Sequence, residues 1–363
     1  MKMPKIFQAK WSRVTFVLVA FCGMIAFFIL HGPKWNLVLD AFRFVAWEWV
    51  VAAIALNLLS VVARAGAWDQ VIEQAVPPPQ PPFRAVFSAF GVGLFANAVL
   101  PGRIGELARV AVLSRRIEEE RRADTWATLL GTVFAHRVFD LFPVTLLIIY
   151  VAATAKIPHW AVASVIVFLI VAFALFAFAL ASARHRDRTV LEEAEGGVRR
   201  LVTMARYGLG VLHAPVPAVF AALLQCLGWL CQLFAVWAAM RAFDIHEPMP
   251  AAGLVLLLMN VAMLFPLWPG NVGLVQAAVA LPLVSYGVPY AKGFAFGIGL
   301  QAIEMSVGVG IGFIFLAREG LSYAMLKHMP GAEQADMGGE EAAEEELEEQ
   351  AGQEQRERTR IAR

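Results

Sequence analysis

Leu100-Pro101-Gly102-Arg103-Ile104-Gly105-Glu106-Leu107-Ala108-Arg109 closes one hydrophobic stretch of this chain, and Trp268-Pro269-Gly270-Asn271-Val272-Gly273-Leu274-Val275-Gln276 interrupts another. Both contain Pro-Gly-x-x-Gly, with Pro101 and Pro269 lying 168 positions apart. Proline lacks the N–H that a helix interior needs, and glycine resists helix, so each motif breaks the helix around it. A broken backbone within a membrane is tolerated only where protein or a water-filled cavity covers it. Paired breaks in corresponding positions of two halves predict a transport site. The breaks are assigned to Pro101, Gly102 and Gly105 in the first copy and to Pro269, Gly270 and Gly273 in the second.

The composition around the motifs sets the class. Hydrophobic residues make up 59% of the 363 and charged residues 16%, with mean hydropathy +0.64. A soluble domain is less apolar and more charged, at roughly 45–50% and 25%. The chain therefore reads as an all-α polytopic membrane protein. Its net charge of +1 carries no sign of a nucleic-acid partner. Cys22, Cys226 and Cys231 lie in apolar runs and read as small buried residues. No Cys/His cluster has zinc spacing and no Walker-type loop occurs, so neither a metal nor another cofactor is expected.

A full span needs about 20 apolar residues. Six stretches qualify: 14–30, 44–63, 125–153, 159–183, 215–240 and 291–317. The first follows Lys2, Lys5, Lys10 and Arg13 and lacks a small-x-small exit, so it reads as a retained span rather than a signal peptide. The regions 85–112 and 251–286, which carry the motifs, are each a re-entrant hairpin or two short crossings. Either form returns the chain to the side it entered from. With the N-terminus in the cytoplasm, inner segments hold 24 Lys and Arg and outer ones 5, the remaining one of the 30 being Arg137 inside a span. That asymmetry predicts a cell-membrane protein with both termini cytoplasmic. The first broken segment then enters from the cytoplasm and the second from outside, which makes an inverted repeat of halves 44–153 and 215–317. Residues 1–13 form a cytoplasmic N-terminus and 14–317 the transmembrane domain. Residues 318–363 form a cytoplasmic, low-complexity acidic tail, with seven Glu among 340–349.

Ionisable residues inside a membrane cost about 2.5–3.5 kcal/mol each on insertion scales, so each marks a functional or paired position. Arg103, Glu106 and Arg109 share a helix face if the helix restarts after Gly102. Guanidinium groups there suit a phosphate. Arg137 and Asp140, and likewise Gln301 and Glu304, follow the two breaks as polar pairs at i, i+3, which puts each pair on one helix face. Arg103, Arg109 and Arg137 are the expected phosphate-binding residues. Glu106, Asp140 and Glu304 orient them or carry protons, with Arg137, Arg103 or a proton as the expected partner of Glu304. Asn97, Asn271, Gln276 and Gln301 supply neutral polar lining. Arg64 and Trp68 read as interfacial anchors, and Gly308-x-x-x-Gly312 as a close helix contact.

The first motif, His136-Arg137-Val138-Phe139-Asp140 and Pro269-Gly270-x-x-Gly273 together resemble the lysylphosphatidylglycerol synthase transmembrane (flippase-like) family, over about 14–317. Its members include the membrane half of multiple peptide resistance factors, implicated in flipping aminoacylated phosphatidylglycerol. Others are stand-alone proteins associated with hopanoid or glycolipid pathways. The resemblance implies translocation of an anionic lipid, a phospholipid or polyprenyl phosphate, by two halves in alternating access. It places Arg103, Glu106, Arg109, Arg137 and Asp140 at the family's polar motif positions. The second motif departs from the frequent Pro-Gly-Gly-x-Gly-x-x-Glu: Asn271 and Gln276 stand at the third and last positions, and a neutral Gln neither takes a proton nor pairs with a cation. The tail is no aminoacyl-transferase domain, so the chain is expected to be a transporter rather than an enzyme. The alternatives are a membrane glycosyl or lipid transferase and a non-catalytic scaffold for envelope-lipid or glycolipid synthesis proteins.

Overall fold

A computed structural model describes residues 34–99, 104–116, 122–156, 214–264 and 271–318. The expected spans 14–30 and 159–183, both termini and the motif residues Pro101, Gly102, Arg103, Pro269 and Gly270 lie outside the described residues.

The described residues form nine helices: α1 (Trp35–Arg43), α2 (Trp47–Ala75), α3 (Phe83–Val99), α4 (Gly105–Ser114), α5 (Arg122–Thr154), α6 (Pro215–Ala242), α7 (Met249–Met263), α8 (Leu274–Val284) and α9 (Tyr290–Arg318). Four of them, α2, α5, α6 and α9, are long and apolar enough to cross a membrane. They correspond to the expected spans 44–63, 125–153, 215–240 and 291–317. The chain is an all-helical polytopic membrane protein.

Each motif region holds two helices, one ending before the Pro-Gly pair and one starting after it. α3 packs on α4, and α7 on α8. The return helices, α4 with 10 residues and α8 with 11, are too short to cross. At 1.5 Å per residue each reaches about 15–17 Å, against a hydrocarbon core of about 30 Å. Length therefore selects the re-entrant hairpin over two crossings. The entering helices are the enclosed ones. Every residue from Ala251 to Met259 in α7 is buried, and so are Ser88 to Gly93 in α3. A helix apolar on every face is one that neighbours cover all round.

Contacts divide the chain into two units. One lies within Met1–Ser60, Pro143–Phe173 and Trp229–Glu304, and the other within Val61–Phe142, Ala174–Gly228 and Met305–Arg363. Four of the five boundaries fall inside the long helices α2, α5, α6 and α9, so contact groups residues differently from the sequence halves 44–153 and 215–317. The first unit holds α1, the α7–α8 hairpin and a large core that includes Val151, Met240, Leu254, Leu256, Leu283, Phe296 and Leu300. Gly293 and Gly297 of α9 lie close against Ala280 and Gln276 of α8, where an added Cβ would stand 3.0 Å from either Cα.

This unit also joins the four segments that the charge count puts on one side of the membrane. Trp35 meets Phe294 edge-on, and Phe42 meets Phe243. Lys156 N–H donates to the Tyr286 hydroxyl (2.8 Å), and Lys292 Nζ pairs with Asp244 (3.0 Å). The Lys292 hydrogen bond and charge hold the Asp244 carboxyl below its ordinary range. The described parts of these segments, 34–43, 154–156, 241–250 and the start of α9 with the turn before it, thus lie together. α1 was not foreseen: Trp35, Val38 and Phe42 recur at helical spacing within what reads as a loop, and Val38 is buried.

The second unit holds the α3–α4 hairpin, with Val71, Ala135, Phe139 and Ala221 in its core. Gly312 of α9 sits against Phe95 and the Gly91 carbonyl of α3, which makes the expected Gly-x-x-x-Gly stretch a close helix contact.

Candidate functional site

In the second unit the hairpin is closed by small residues and one amide. A Cβ on Gly93 would lie 2.8 Å from the Gly105 carbonyl, and a Cβ on Gly105 would collide with Gly93 and Asn97. Only glycine at 93 and 105 lets the two backbones approach so closely. The Gly105 N–H, an unsatisfied donor of the first helical turn, donates to Asn97 Oδ1 (2.9 Å). Asn97 is thus a clasp between α3 and α4.

That clasp fixes where α4 presents Glu106 and Arg109. Glu106 Oε1 accepts from Arg137 Nη2 of α5. Glu106 Oε2 lies 2.6 Å from Arg109 Nη2, an ion pair whose approach is off the N–H direction. Arg137 Nη1 donates to Asp140 Oδ2 (3.2 Å). Asp140 Oδ1 accepts from Arg64 Nη2 of α2 (3.4 Å) and from Gln225 Nε2 of α6. The charges run Arg64, Asp140, Arg137, Glu106, Arg109, alternating in sign with an arginine at each end. Three guanidiniums against two carboxylates give these five residues a sum of +1.

Burial along the chain is uneven. Arg109 and Asp140 are buried and Gln225 is fully enclosed. Arg137 is open, with 49% of its side chain exposed, and Glu106 is intermediate at 26%. Arg109 lies over aromatic rings, its guanidinium carbon 4.6 Å from the Trp68 centroid and 5.5 Å from that of Phe90. Trp68 is locked by its own hydrogen bond from Nε1 to Thr132 Oγ1 (3.0 Å). His136 Nε2 bonds the Arg64 carbonyl (3.1 Å), so that nitrogen carries the proton.

Arg64 and Trp68 are therefore not interfacial anchors. α2 runs on to Ala75, which keeps both inside the helix, and Trp68 is fully buried. Gln225 escaped the sequence reading; the available signal was an amide in an otherwise apolar span. Glu106–Arg109 and Arg137–Asp140 each meet as their i, i+3 spacing predicts, and the fold joins the two pairs at Glu106–Arg137. Arg103 lies outside the described residues.

The second hairpin carries a neutral version. Asn271 Nδ2, from a residue at φ 45°, donates to the Ala262 carbonyl (3.2 Å) and ties the break to α7. Gly273 takes φ 93°, and its N–H donates to Gln276 Oε1 (2.5 Å). Gln276 Nε2 donates to Gln301 Oε1 of α9 (2.5 Å). Glu304 accepts from Gln232 Nε2 of α6 (3.3 Å), a partner the sequence reading did not name. Each hairpin thus meets the next long helix through side chains of its return helix: by charge at Glu106 and Arg137, by amides at Gln276 and Gln301. Among the described residues no group of His, Cys, Asp and Glu is placed to hold a metal ion.

Four spanning helices and two re-entrant hairpins with polar contacts define a multi-pass membrane protein. The family model described as the lysylphosphatidylglycerol synthase TM region matches residues 14–312, and the chain belongs to that family. Its function is accordingly membrane-lipid related. No curated protein and no solved structure matches the chain.

Proposed function

We propose that this protein translocates an anionic lipid, a phospholipid or polyprenyl phosphate, across the cell membrane, with both termini cytoplasmic. The observation that carries the reading is the five-residue charge chain with its excess positive charge at the first hairpin. Five partly buried residues whose charges sum to +1 are stabilised by an anion, and a lipid phosphate supplies one. Arg137, the open member, contacts the phosphate. Arg109, buried beneath Glu106, holds that carboxylate in place, and Asp140 sets the geometry of Arg137. Arg103, three positions before Glu106, belongs to the same phosphate group by its place in the motif. Glu304 carries protons for the other half, and Asn97, Asn271, Gln276 and Gln301 hold the two hairpins in shape. The hairpins enter from opposite sides and expose the headgroup alternately. Envelope-lipid or glycolipid synthesis proteins are its partners in this reading.

The test is reconstitution. Protein in liposomes holding fluorescent phosphatidylglycerol is followed by a membrane-impermeant quencher. Wild-type protein moves the lipid between leaflets, and Arg137→Gln and Arg103→Glu abolish movement at equal protein levels. Unaltered transport in both variants would sink the assignment. Divalent-metal-dependent modification of a lipid without movement would indicate a transferase. A phenotype insensitive to every motif arginine would indicate a scaffold.

A further inference from the structure

We infer that Glu106 is a built-in competitor for the anion site: its carboxylate occupies the place on Arg137 that an incoming anion takes. The anion's arrival hands Glu106 over to Arg109 and releases α4 from α5. This rests on the anion-site reading above and deepens it by naming what the substrate must displace.

The two carboxylates of the chain hold Arg137 differently. Asp140 lies on the same helix at i, i+3, is buried, and is also held by Arg64 and Gln225. Glu106 comes from the hairpin and is the more exposed of the two. Its two oxygens are divided, Oε1 to Arg137 and Oε2 to Arg109, and Arg109 is its own helix neighbour at i, i+3. Losing Arg137 therefore does not orphan Glu106, because Arg109 is already in contact. Arg109 in turn has Nε and Nη2 without hydrogen-bond partners although it is buried, so it has donors in reserve for a second carboxylate contact. Arg137 keeps Asp140 throughout. An anion of charge −1 that replaces Glu106 on Arg137 leaves every cation with a carboxylate or the anion beside it, and the network becomes neutral. Displacement of Asp140 instead would strip three partners at once, at a far higher cost.

The exchange has a mechanical consequence. Glu106–Arg137 is an ionic contact between the hairpin and α5, whereas the hairpin itself is closed by Asn97 and the Gly93–Gly105 approach. Breaking the first leaves the second intact, so α3 and α4 stay joined while α4 loses its ionic tie to α5. Among the described residues the second hairpin meets α9 through the uncharged Gln276–Gln301 contact, for which an anion does not compete.

The experiment is calorimetric titration of the full chain in detergent. The probes are dihexanoylphosphatidylglycerol and, separately, inorganic phosphate. Removing a competing charge-assisted contact tightens binding about tenfold, so Glu106→Gln binds the probe about tenfold more tightly than wild type. Glu106→Asp keeps the charge and the Arg109 pair but withdraws from Arg137, and falls between the two. If Glu106→Gln does not fold, Glu106→Asp decides alone: tighter binding supports the inference, and equal or weaker binding overturns it. Tightening for the lipid probe supports a lipid headgroup as the displacing anion. Tightening confined to inorganic phosphate supports the competition with free phosphate as occupant. Arg137→Gln separates the two levels of the claim. If it abolishes binding while the Glu106 variants bind no tighter, the competitor role alone falls. If it binds as wild type, or wild type binds neither probe, the anion site falls too.

Discussion

Replacing Asp140 by Asn is the sharpest test of the charge chain as a structural unit. Asp140 is buried and faces Arg64 at 3.4 Å and Arg137 at 3.2 Å, with the Gln225 amide on the same oxygen as Arg64. The substitution keeps the shape and removes the charge. Two guanidiniums then face each other across a neutral amide, and the network rises from +1 to +2. Breaking a buried pair by removing one partner costs about 3–5 kcal/mol. Arg137 retains Glu106, so the lower half of that range, about 3–4 kcal/mol, is expected. The companion change Arg64→Gln restores the net charge to +1 in the double variant. Residues sharing a network couple by about 0.5–3 kcal/mol, so the double variant should be no less stable than Asp140→Asn alone, despite carrying two changes. Unfolding of purified protein in detergent, followed at identical lipid and salt, reads both quantities. A loss below about 1 kcal/mol for Asp140→Asn, or strictly additive losses in the double variant, would refute the pairing.

Three other perturbations address the parts around that chain. Gly105→Ala drives a Cβ into Gly93 and Asn97; overpacking costs about 1–3 kcal/mol, and melting of the purified variant should show it, whereas Gly310→Ala, with nothing near its added Cβ, should be neutral. Trp68→Phe deletes the Thr132 hydrogen bond and part of the ring beneath Arg109. It should destabilise by about 1–3 kcal/mol, and an unchanged melting profile would discount the stacking. Gln276→Leu leaves the Gly273 N–H and the Gln301 amide without their bonds to it in a buried setting. About 2–4 kcal/mol should be lost, while anion binding at Arg137 in the other unit stays as in wild type.

Much of the candidate site was legible because the chemistry of membranes makes charges conspicuous. Arg137 and Asp140 stand inside an apolar run, and their i, i+3 spacing on a helix already implied contact, which the structure has at 3.2 Å. Glu106 and Arg109 were legible for the same reason. Arg64 was misread because hydropathy ended the span near residue 63, and a charge just past an apparent end looks like an anchor. α2 in fact continues to Ala75, since Ala65, Ala67, Val71 and Ile72 keep its buried face apolar. Glu304 lacked a named partner because Gln232, like Gln225, is neutral and draws no attention in a charge count. The helix Trp35–Arg43 was passed over because nine residues fall below any span-length criterion, although its aromatic spacing was visible.

The sequence by itself determined that this is a helical membrane protein, where four of its long helices lie, and that two Pro-Gly-x-x-Gly breaks turn the chain back. Those properties follow from local quantities, the transfer energy of each side chain and the backbone limits of proline and glycine. Only the tertiary structure decided which charges meet. Glu106 and Arg137 are 31 residues apart, Arg64 and Asp140 76, and Gln225 and Asp140 85. No periodicity reaches across such distances. The rotation of each helix about its axis, set by how Gly93, Gly105 and the enclosed apolar faces pack, brings those side chains to one place.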